Sequence, residues 1–351
     1  MMSSQRTPRS MHRRTPVWQP PTDVVELMGD VSGNALNGWD ETVDRPPTLV
    51  MWANPKQLAH GPVQERMTRQ FLEHPDLRSV LRPDDRHEPV TVATQKLERS
   101  PEQWMDDITT FASGLDGHEV ELIGVARPEP NWFFDGRSSS LPFVVMLGVA
   151  MDHEQLATAP EHTSAMEVHR QYNRGTAAAR ALADLIRGRG YVAEGHGGPG
   201  AGPLQMVPAA IAAGLGELGK HGSIINRQLG SSFRLAAVLT DAPLLAGSPD
   251  VFGADDFCVG CRICTDACPP DAIAPERRLV RGTTKWAVDF DRCLPYFAVS
   301  HGCGICIAVC PWSTSGEAPR LAQTMQRKMS RRAASPAEQS RAELAPRPGT
   351  E

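Results

Sequence analysis

The sequence predicts an α/β domain followed by a C-terminal cysteine-rich module, and three observations support this. Apolar runs typical of buried strands alternate with an amphipathic helix between residues 119 and 240. All eight cysteines lie between Cys258 and Cys310. No apolar run approaches the roughly 18 residues that a membrane-spanning helix needs, so we expect no membrane span.

Length and charge narrow the function classes. A chain of 351 residues suits two domains, and its 40% of hydrophobic residues can build a sizeable core. Lys and Arg number 36 against 41 Asp and Glu, which gives a net charge of -5. This mild acidity provides no electrostatic basis for binding nucleic acid, so we expect a small-molecule substrate instead.

The N-terminal region carries charge but no recognisable chemistry. Residues 1–20 contain four arginines and no acid, and we interpret them as a mobile basic arm. The pair Arg13-Arg14 is followed by no apolar segment, so it is neither a secretory nor a twin-arginine signal, and we predict a cytoplasmic location. Residues 21–104 form an N-terminal variable region.

Residues 105–250 are predicted to form the α/β domain. One helix between residues 172 and 190 has Ala178, Leu182 and Ile186 on one face, and a second lies near 206–214. The predicted strands are short apolar runs at residues 120–125, 141–150, 191–193 and 233–240. Residues 316–351 have no aromatic residue and no Cys, so we predict a disordered tail there.

Two cysteine runs form the predicted module at residues 251–315. The first places Cys258, Cys261, Cys264 and Cys268 at spacings of three, three and four, followed by a proline. In the second, Cys303, Cys306 and Cys310 precede another proline, and Cys293 lies upstream. The first spacing is that of bacterial ferredoxins, in which three thiolates hold one [4Fe-4S] cluster and the fourth reaches the other cluster.

That crossover divides the cysteines between two clusters. One [4Fe-4S] cluster takes Cys258, Cys261, Cys264 and Cys310, and the other takes Cys268, Cys293, Cys303 and Cys306. The alternative is a pair of zinc sites, although zinc modules rarely show this spacing. Since none of the eight is left over, we predict a ferredoxin-like module with two clusters, in a reducing compartment.

The region upstream resembles a known superfamily. The segments at residues 210–226 and 230–244, with Leu122-Ile-Gly-Val and Asn131-Trp-Phe-Phe, are similar to cobalamin-dependent reductive dehalogenases and epoxyqueuosine reductases. The closing segments at residues 285–293 and 302–312 resemble the dehalogenase branch. The resemblance covers about residues 105–315 and suggests a cytoplasmic, non-respiratory member.

This resemblance implies a fold, cofactors and a reaction. It implies a nitroreductase-like α/β domain that binds cobalamin without a histidine lower ligand, and indeed no Asp-x-His-x-x-Gly segment occurs. It also implies reductive dehalogenation of an organohalide, a two-electron cleavage at cobalt fed through two [4Fe-4S] clusters. An external low-potential donor such as a ferredoxin or flavodoxin would supply the electrons.

The resemblance also implies site residues. Tyr172 matches the position of the proton donor, and a phenol, whose ordinary pKa is near 10, is in its acid form at neutral pH. Arg234 matches the cation that stabilises the phenolate left behind. Lys220 and His221 are further candidates in the same region, as cofactor-binding residues. The alternative for Tyr172 is an ordinary tyrosine packing its ring.

One motif suggests a different cofactor. The segment from Gly195 to Gly200 satisfies G-x-G-x-x-G, the fingerprint of dinucleotide binding, but this needs a helix starting at the third glycine. Pro199 and Pro203 disfavour that helix. We therefore favour a small-residue loop beside a bulky ligand, in which His196 is a candidate pocket residue, with a solvated loop histidine as the alternative.

Two other function classes remain open. The chain could be a ferredoxin-type electron-transfer protein or redox partner whose upstream domain holds no corrinoid, although no ATP-binding Gly-x-x-x-x-Gly-Lys-Ser/Thr motif occurs. It could also be a tRNA-modifying enzyme like epoxyqueuosine reductase. Against the latter, residues 167–174 lack the Asp-Tyr-His segment of that branch.

Overall fold

The computed structural model describes residues 16–81, 87–198 and 202–333. Within this part of the chain, a central sheet is covered by helices on both faces, and a helical module follows it. No helix in these ranges combines the length and the apolar character that crossing a membrane requires.

The central sheet has four antiparallel strands in the order β1-β2-β6-β3. These strands are β1 (Leu122–Ala126), β2 (Phe143–Ala150), β3 (Ala193–His196) and β6 (Phe233–Thr240). Seven of the eight residues of β2 are buried, because it is a central strand covered on both faces. Its register with β6 pairs Val149 with Arg234, which fixes where the Arg234 side chain leaves the sheet.

Helices cover the two faces of this sheet. On one face lie α5 (Pro101–Ser113) and α7 (His162–Gly188), whose Leu182 and Ile186 are fully buried against β2 and β6. On the other face lies α8 (Met206–Ala212), with the small antiparallel pair β4 (Glu217–Leu218) and β5 (Ile224–Ile225). The core therefore has three layers, with the sheet in the middle.

The helix α7 is longer than the sequence pattern indicates. It begins at His162, so Tyr172 lies in its middle and not at its start. The segment before Tyr172 has no glycine or proline, and its buried face consists mainly of small and polar residues, including Ala165, Glu167 and His169, which an apolar periodicity does not reveal. The third strand is also displaced to Ala193–His196, and Tyr191, just before it, packs edge-on against Trp104 in the core.

Short N-terminal helices pack against the cysteine module and α7. They are α1 (Thr22–Met28), α2 (Gly33–Leu36), α3 (Gly61–Glu73) and α4 (Pro75–Leu81), with α6 (His153–Leu156) following β2. The described end of the predicted basic arm is docked, since the Trp18 amide donates to the Pro269 carbonyl at 2.9 Å and its ring meets Tyr296 at 5.0 Å. The four arginines of that arm lie outside the described residues.

The C-terminal module consists of short helices and one hairpin. Its elements are α9 (Ala254–Gly260), α10 (Ile263–Ala267), β7 (Arg278–Val280), β8 (Thr283–Lys285), α11 (Phe290–Val299) and α12 (Ile305–Ala308). The helices α10 and α12, one from each cysteine run, contact each other. This contact brings the two runs together.

The prediction of a disordered tail is wrong for the first part of that segment. Residues Glu317–Ala333 form α13, which packs on α9. Ala318, Ala322 and Met325 recur every three or four residues and are buried beside the cysteine module, so a narrow apolar stripe suffices to order a helix of polar composition. The remaining residues of the predicted tail, 334–351, lie outside the described part.

Candidate cluster sites and active-site cavity

The eight cysteines lie in or near four short helices, α9 to α12. Cys258 lies in the last turn of α9, Cys264 lies in α10, and Cys268 caps the end of α10. Backbone amides donate to two of the sulfur atoms: Lys220 N–H to Cys258 Sγ at 3.4 Å, and Ala272 N–H to Cys268 Sγ at 3.3 Å. Such donors stabilise negative charge on sulfur.

The cysteines fall into two groups. Within each group, the charge on one thiol raises the pKa of its neighbours. The first group consists of Cys258, Cys261, Cys264 and Cys310, which line one small enclosed space. The second group consists of Cys268, Cys293, Cys303 and Cys306. Each group takes one member from the other cysteine run, as the ferredoxin crossover predicts. The charge on Cys264 also raises the pKa of Cys306, so the two groups are neighbours.

The spacing of the sulfur atoms does not favour zinc. A tetrahedral zinc ion with Zn–S bonds of about 2.3 Å requires sulfur atoms about 3.8 Å apart. Among the described residues, which include all eight cysteines, no three cysteines bring their sulfur atoms within 4.8 Å of one another. Wider spacing is what a cluster of several atoms needs.

Burial of the thiols fits a site for metal. Burial raises the pKa of Cys264, Cys293 and Cys310 to about 12 and that of Cys258 to about 11. Neighbouring cysteines raise these pKa values further. Thiols in such surroundings ionise when bound iron supplies the positive charge, since a coordinating thiol loses its proton outright.

Lys220 lies beside the first cysteine group. Its side chain is only 1% exposed, and Nζ donates to the Cys261 carbonyl at 2.7 Å. The same ammonium group lies 4.9 Å from the centroid of the Trp286 ring. Lys220 therefore places a buried positive charge next to the first group of sulfur atoms.

His221 separates the first cysteine group from a large cavity and lines both spaces. Burial lowers its pKa to about 4, so the imidazole is neutral. Its Nδ1 accepts from the Ser223 amide at 3.2 Å. Nε2 therefore carries the hydrogen, and it lies 3.1 Å from Ser231 Oγ, which itself donates to the Ile224 carbonyl.

The large cavity has a volume of about 900 Å³ and lies where the α/β domain meets the cysteine module. Tyr172 from α7 and Arg234 from β6 line it, and so does Cys293 of the second cysteine group. Its volume is at the upper end of the range for ligand pockets, about 300–1,000 Å³. The cavity thus brings candidate acid–base residues and a candidate cluster ligand to one space.

Tyr172 and Arg234 are in contact. The central carbon of the Arg234 guanidinium lies 5.3 Å from the centroid of the Tyr172 ring. Arg234 Nε is buried and has no hydrogen-bond partner among the described residues. The ring of His169, one turn earlier on α7, lies 6.2 Å from that of Tyr172. Burial, reinforced by the charge of Arg234, lowers the pKa of His169 to about 4.

The glycine-rich motif packs against α7. A Cβ at Gly195 would lie 2.6 Å from the Ala179 carbonyl oxygen, and one at Gly197 would lie 2.5 Å from the Thr176 Cα. The next helix starts only at Met206, and the third glycine lies outside the described residues. The glycines that are described therefore have a packing role, which does not favour a dinucleotide site.

His196 ends β3, and its Nε2 lies 3.6 Å from a carboxylate oxygen of Glu194. Gly198 and Gly202 of the same loop line the large cavity, as expected for a small-residue loop beside a ligand, whereas His196 is not among the described residues that line it.

Two cations in the cavity wall are not marked by any pattern in the sequence. Arg281 and Lys285, on the hairpin of β7 and β8, both line the cavity. Burial lowers the pKa of each, and Arg281 donates to the Asn37 carbonyl at 2.9 Å. Only the resemblance pointed to the Lys285 segment, since no spacing pattern marks a cation on a short hairpin.

Comparison with known proteins defines the class of the molecule first. The profile of the 4Fe-4S dicluster domain family matches residues 257–314. In overall fold the chain resembles the catabolic reductive dehalogenase NpRdhA, with a TM-score of 0.65 and 22% identity, covering 87% of this chain and 47% of that one. The same protein in complex with 3-bromo-4-hydroxybenzoic acid gives a TM-score of 0.63, also at 22% identity, covering 84% of this chain and 47% of that one. The molecule is an α/β protein with a C-terminal 4Fe-4S dicluster domain, and the predicted fold class is confirmed.

Curated proteins of similar sequence then show which enzymes are homologous to this chain. A tetrachloroethene reductive dehalogenase of Desulfitobacterium hafniense is 33% identical over 214 residues, which are 57% of this chain and 38% of the relative. That of Sulfurospirillum multivorans is 34% identical over 270 residues, 62% of this chain and 53% of the relative. An epoxyqueuosine reductase of Leadbetterella byssophila is 35% identical over 119 residues, 29% of this chain and 35% of the relative.

The chain is thus a homologue of the reductive dehalogenases and epoxyqueuosine reductases, both of which are oxidoreductases, and the predicted resemblance is confirmed. It spans about a third to a half of the length of these relatives.

Proposed function

We propose that the protein is a corrinoid- and iron–sulfur-dependent reductase that removes halide from an organohalide. The observation that carries this proposal is the pairing of Tyr172 with Arg234 in a cavity of about 900 Å³ that Cys293 also lines. These three residues place a proton donor, a cation and a route for electrons at the same cavity. The homology to dehalogenases supplies the reaction class.

Two features of the cavity wall fit a bound corrinoid. Three glycines with positive φ, Gly198, Gly202 and Gly222, line it, so the backbone lies close to any ligand there. The buried, unpartnered Nε of Arg234 offers a donor to a group in the cavity. When bound, the [4Fe-4S] clusters supply one-electron transfer, and the corrinoid supplies a cobalt centre at which a carbon–halogen bond is cleaved.

The reaction balances with two electrons and one proton: R–X + 2 e⁻ + H⁺ gives R–H + X⁻. Tyr172 Oη is the proton source in this scheme, because its ring lies in the cavity wall. Arg234 stabilises the phenolate that remains, since a cation close to the ring favours the charged form. The neutral His169 beside them adds no second positive charge to the pair.

The two cysteine groups are the proposed ligands of the clusters and define the direction of electron flow. Cys293 lines the cavity, so the second group is the exit toward substrate. The first group includes Cys261 at the turn between α9 and α10, and the residues Val259 and Ile263 on either side of this turn are about half exposed, at 56% and 47%. An external low-potential donor would dock near that turn.

The test is an anaerobic turnover assay on protein loaded with iron and corrinoid. Reduced by a low-potential viologen, the protein should release halide from tetrachloroethene or from 3-bromo-4-hydroxybenzoic acid, compounds that the names of the relatives point to. Tyr172→Phe should release halide about 100-fold more slowly or worse, whereas the control Tyr191→Phe, in the core and away from the cavity, should be active.

Two results would overturn the proposal. One is the absence of halide release from loaded protein over a broad panel of organohalides. The other is reduction of an epoxyqueuosine-containing RNA in place of those compounds, which would move the protein to the second homologous branch.

A further inference from the structure

Two histidines and an aspartate meet at a junction of three helices, away from the cysteine groups. His74 caps the end of α3, Asp76 lies in the first turn of α4, and His162 is the first residue of α7. One possible ligand atom from each residue lies within 4.8 Å of the other two. Among the described residues, this is the one set of three histidine, cysteine or acidic side chains with that spacing.

The environment of these side chains is polar but incompletely paired. His74 Nδ1 is buried and has no hydrogen-bond partner in the described part of the chain. The rings of His74 and His162 pack at 4.4 Å between centroids, tilted by 30°. A third ring, His301, lies 6.3 Å from His74. A buried ring nitrogen without a partner is costly, and a bound cation would satisfy it.

We propose that His74, Asp76 and His162 form a binding site for a zinc ion. Imidazole and carboxylate are ligands that zinc prefers, and three protein ligands leave the fourth tetrahedral position to water. Ligand atoms bound at about 2.0–2.1 Å lie about 3.3 Å apart in a tetrahedron, so modest rotations of these side chains complete the site. The exposed Asp76 leaves an entry path for the ion.

The ion would join the N-terminal helices to the helix that carries the proposed proton donor. His74 and Asp76 belong to α3 and α4, whereas His162 starts α7, on which Tyr172 lies. Since a metal bound only by the folded chain stabilises that chain, zinc should fix this junction. The role is structural and does not depend on the proposed reaction.

The test measures zinc in protein whose iron sites are already filled. Loaded protein is treated with a mild chelator, dialysed against zinc and analysed for zinc and iron in the same sample. We expect about one zinc per chain beside a full iron complement, and a rise in the unfolding temperature on adding zinc. His162→Gln and Asp76→Asn should lower zinc affinity at least about 10-fold. The matched control His118→Gln, an exposed histidine elsewhere, should retain it.

Misfolding would not explain a loss of zinc in Asp76→Asn, because this exposed side chain supports no core packing. Zinc that persists equally in His162→Gln and Asp76→Asn would overturn the proposal. So would the absence of zinc from wild-type protein with full iron content. Loss of zinc in both variants at unchanged iron content would establish the site.

Discussion

The guanidinium of Arg234 lies over the ring of Tyr172, 5.3 Å from its centroid, at the wall of the large cavity. The two residues come from different elements, α7 and β6, which pack together in the core. This arrangement places a fixed positive charge next to a phenol. It is the relationship on which the proposed proton transfer depends.

Tyr172→Phe should therefore lower the turnover number by about 100-fold or more, the usual effect of losing a positioned general acid. The substitution removes only the hydroxyl group, so iron and corrinoid contents should equal those of the wild-type protein. Steady-state kinetics with metal analysis of the same samples tests this. Unchanged turnover would rule out Tyr172 as the proton donor.

Arg234→Gln should lower turnover by about 10- to 100-fold, while Arg234→Lys should retain more activity because it keeps a positive charge near the ring. The effect should fall on the turnover number more than on the Michaelis constant, since the charge matters most once the phenolate has formed. Equal activity of the Gln and Lys variants would contradict an electrostatic role.

Lys220→Met should make the reduction potential of the first cluster more negative. A unit charge about 7 Å away, at an effective dielectric constant of about 20, contributes about 2 kcal/mol, which for one electron is on the order of 100 mV. The backbone N–H bond to Cys258 remains in the variant. A redox titration followed by electron paramagnetic resonance measures the shift.

The matched control for this change is Lys96→Met. Lys96 also stacks on an aromatic ring, that of Tyr191, but its side chain is 53% exposed. Its removal should leave both cluster potentials unchanged. A similar shift in the two variants would mean that net charge, and not the buried ammonium of Lys220, sets the potential.

Acid should destabilise the fold partly through His169. The folded-state pKa of His169 is about 4, below the ordinary value of 6.5, so between these values the unfolded chain binds more protons. Stability conferred by the neutral ring is complete above about pH 6.5 and is lost as pH falls toward 4. At pH 5 the loss is about 2 kcal/mol.

His169→Gln removes this titration. Between pH 7 and pH 5, the unfolding temperature of the wild-type protein should fall a few degrees further than that of His169→Gln. Because the other titrating groups are common to both proteins, the comparison isolates His169. Parallel declines in the two unfolding temperatures would show that the ring already carries a proton in the folded state.

Sequence predicted the elements whose patterns are local and apolar. The run that became β2 is buried on both faces and reads as a continuous apolar segment, and the face of α7 with Leu182 and Ile186 has helical periodicity. The cysteine spacings likewise predicted which sulfur atoms come together, because cluster geometry restricts the loops that can hold it.

The remaining features depend on tertiary packing that local patterns do not encode. The first half of α7 buries Glu167 and His169, and α13 buries only a narrow stripe, so neither displays a strong apolar signal. The sequence marks Lys220 as a candidate cofactor-binding residue, but its position beside Cys261 follows from how β4 and α9 pack. Contacts between distant segments decide such positions.

Cofactor content tests the central claim most directly. The protein should be produced anaerobically with iron, sulfide and hydroxocobalamin, purified, and assayed for iron and corrinoid per chain by metal analysis and visible spectra. The account predicts about eight irons, from two [4Fe-4S] clusters, together with one cobalt. Eight irons without cobalt would contradict it and would favour an electron-transfer protein instead.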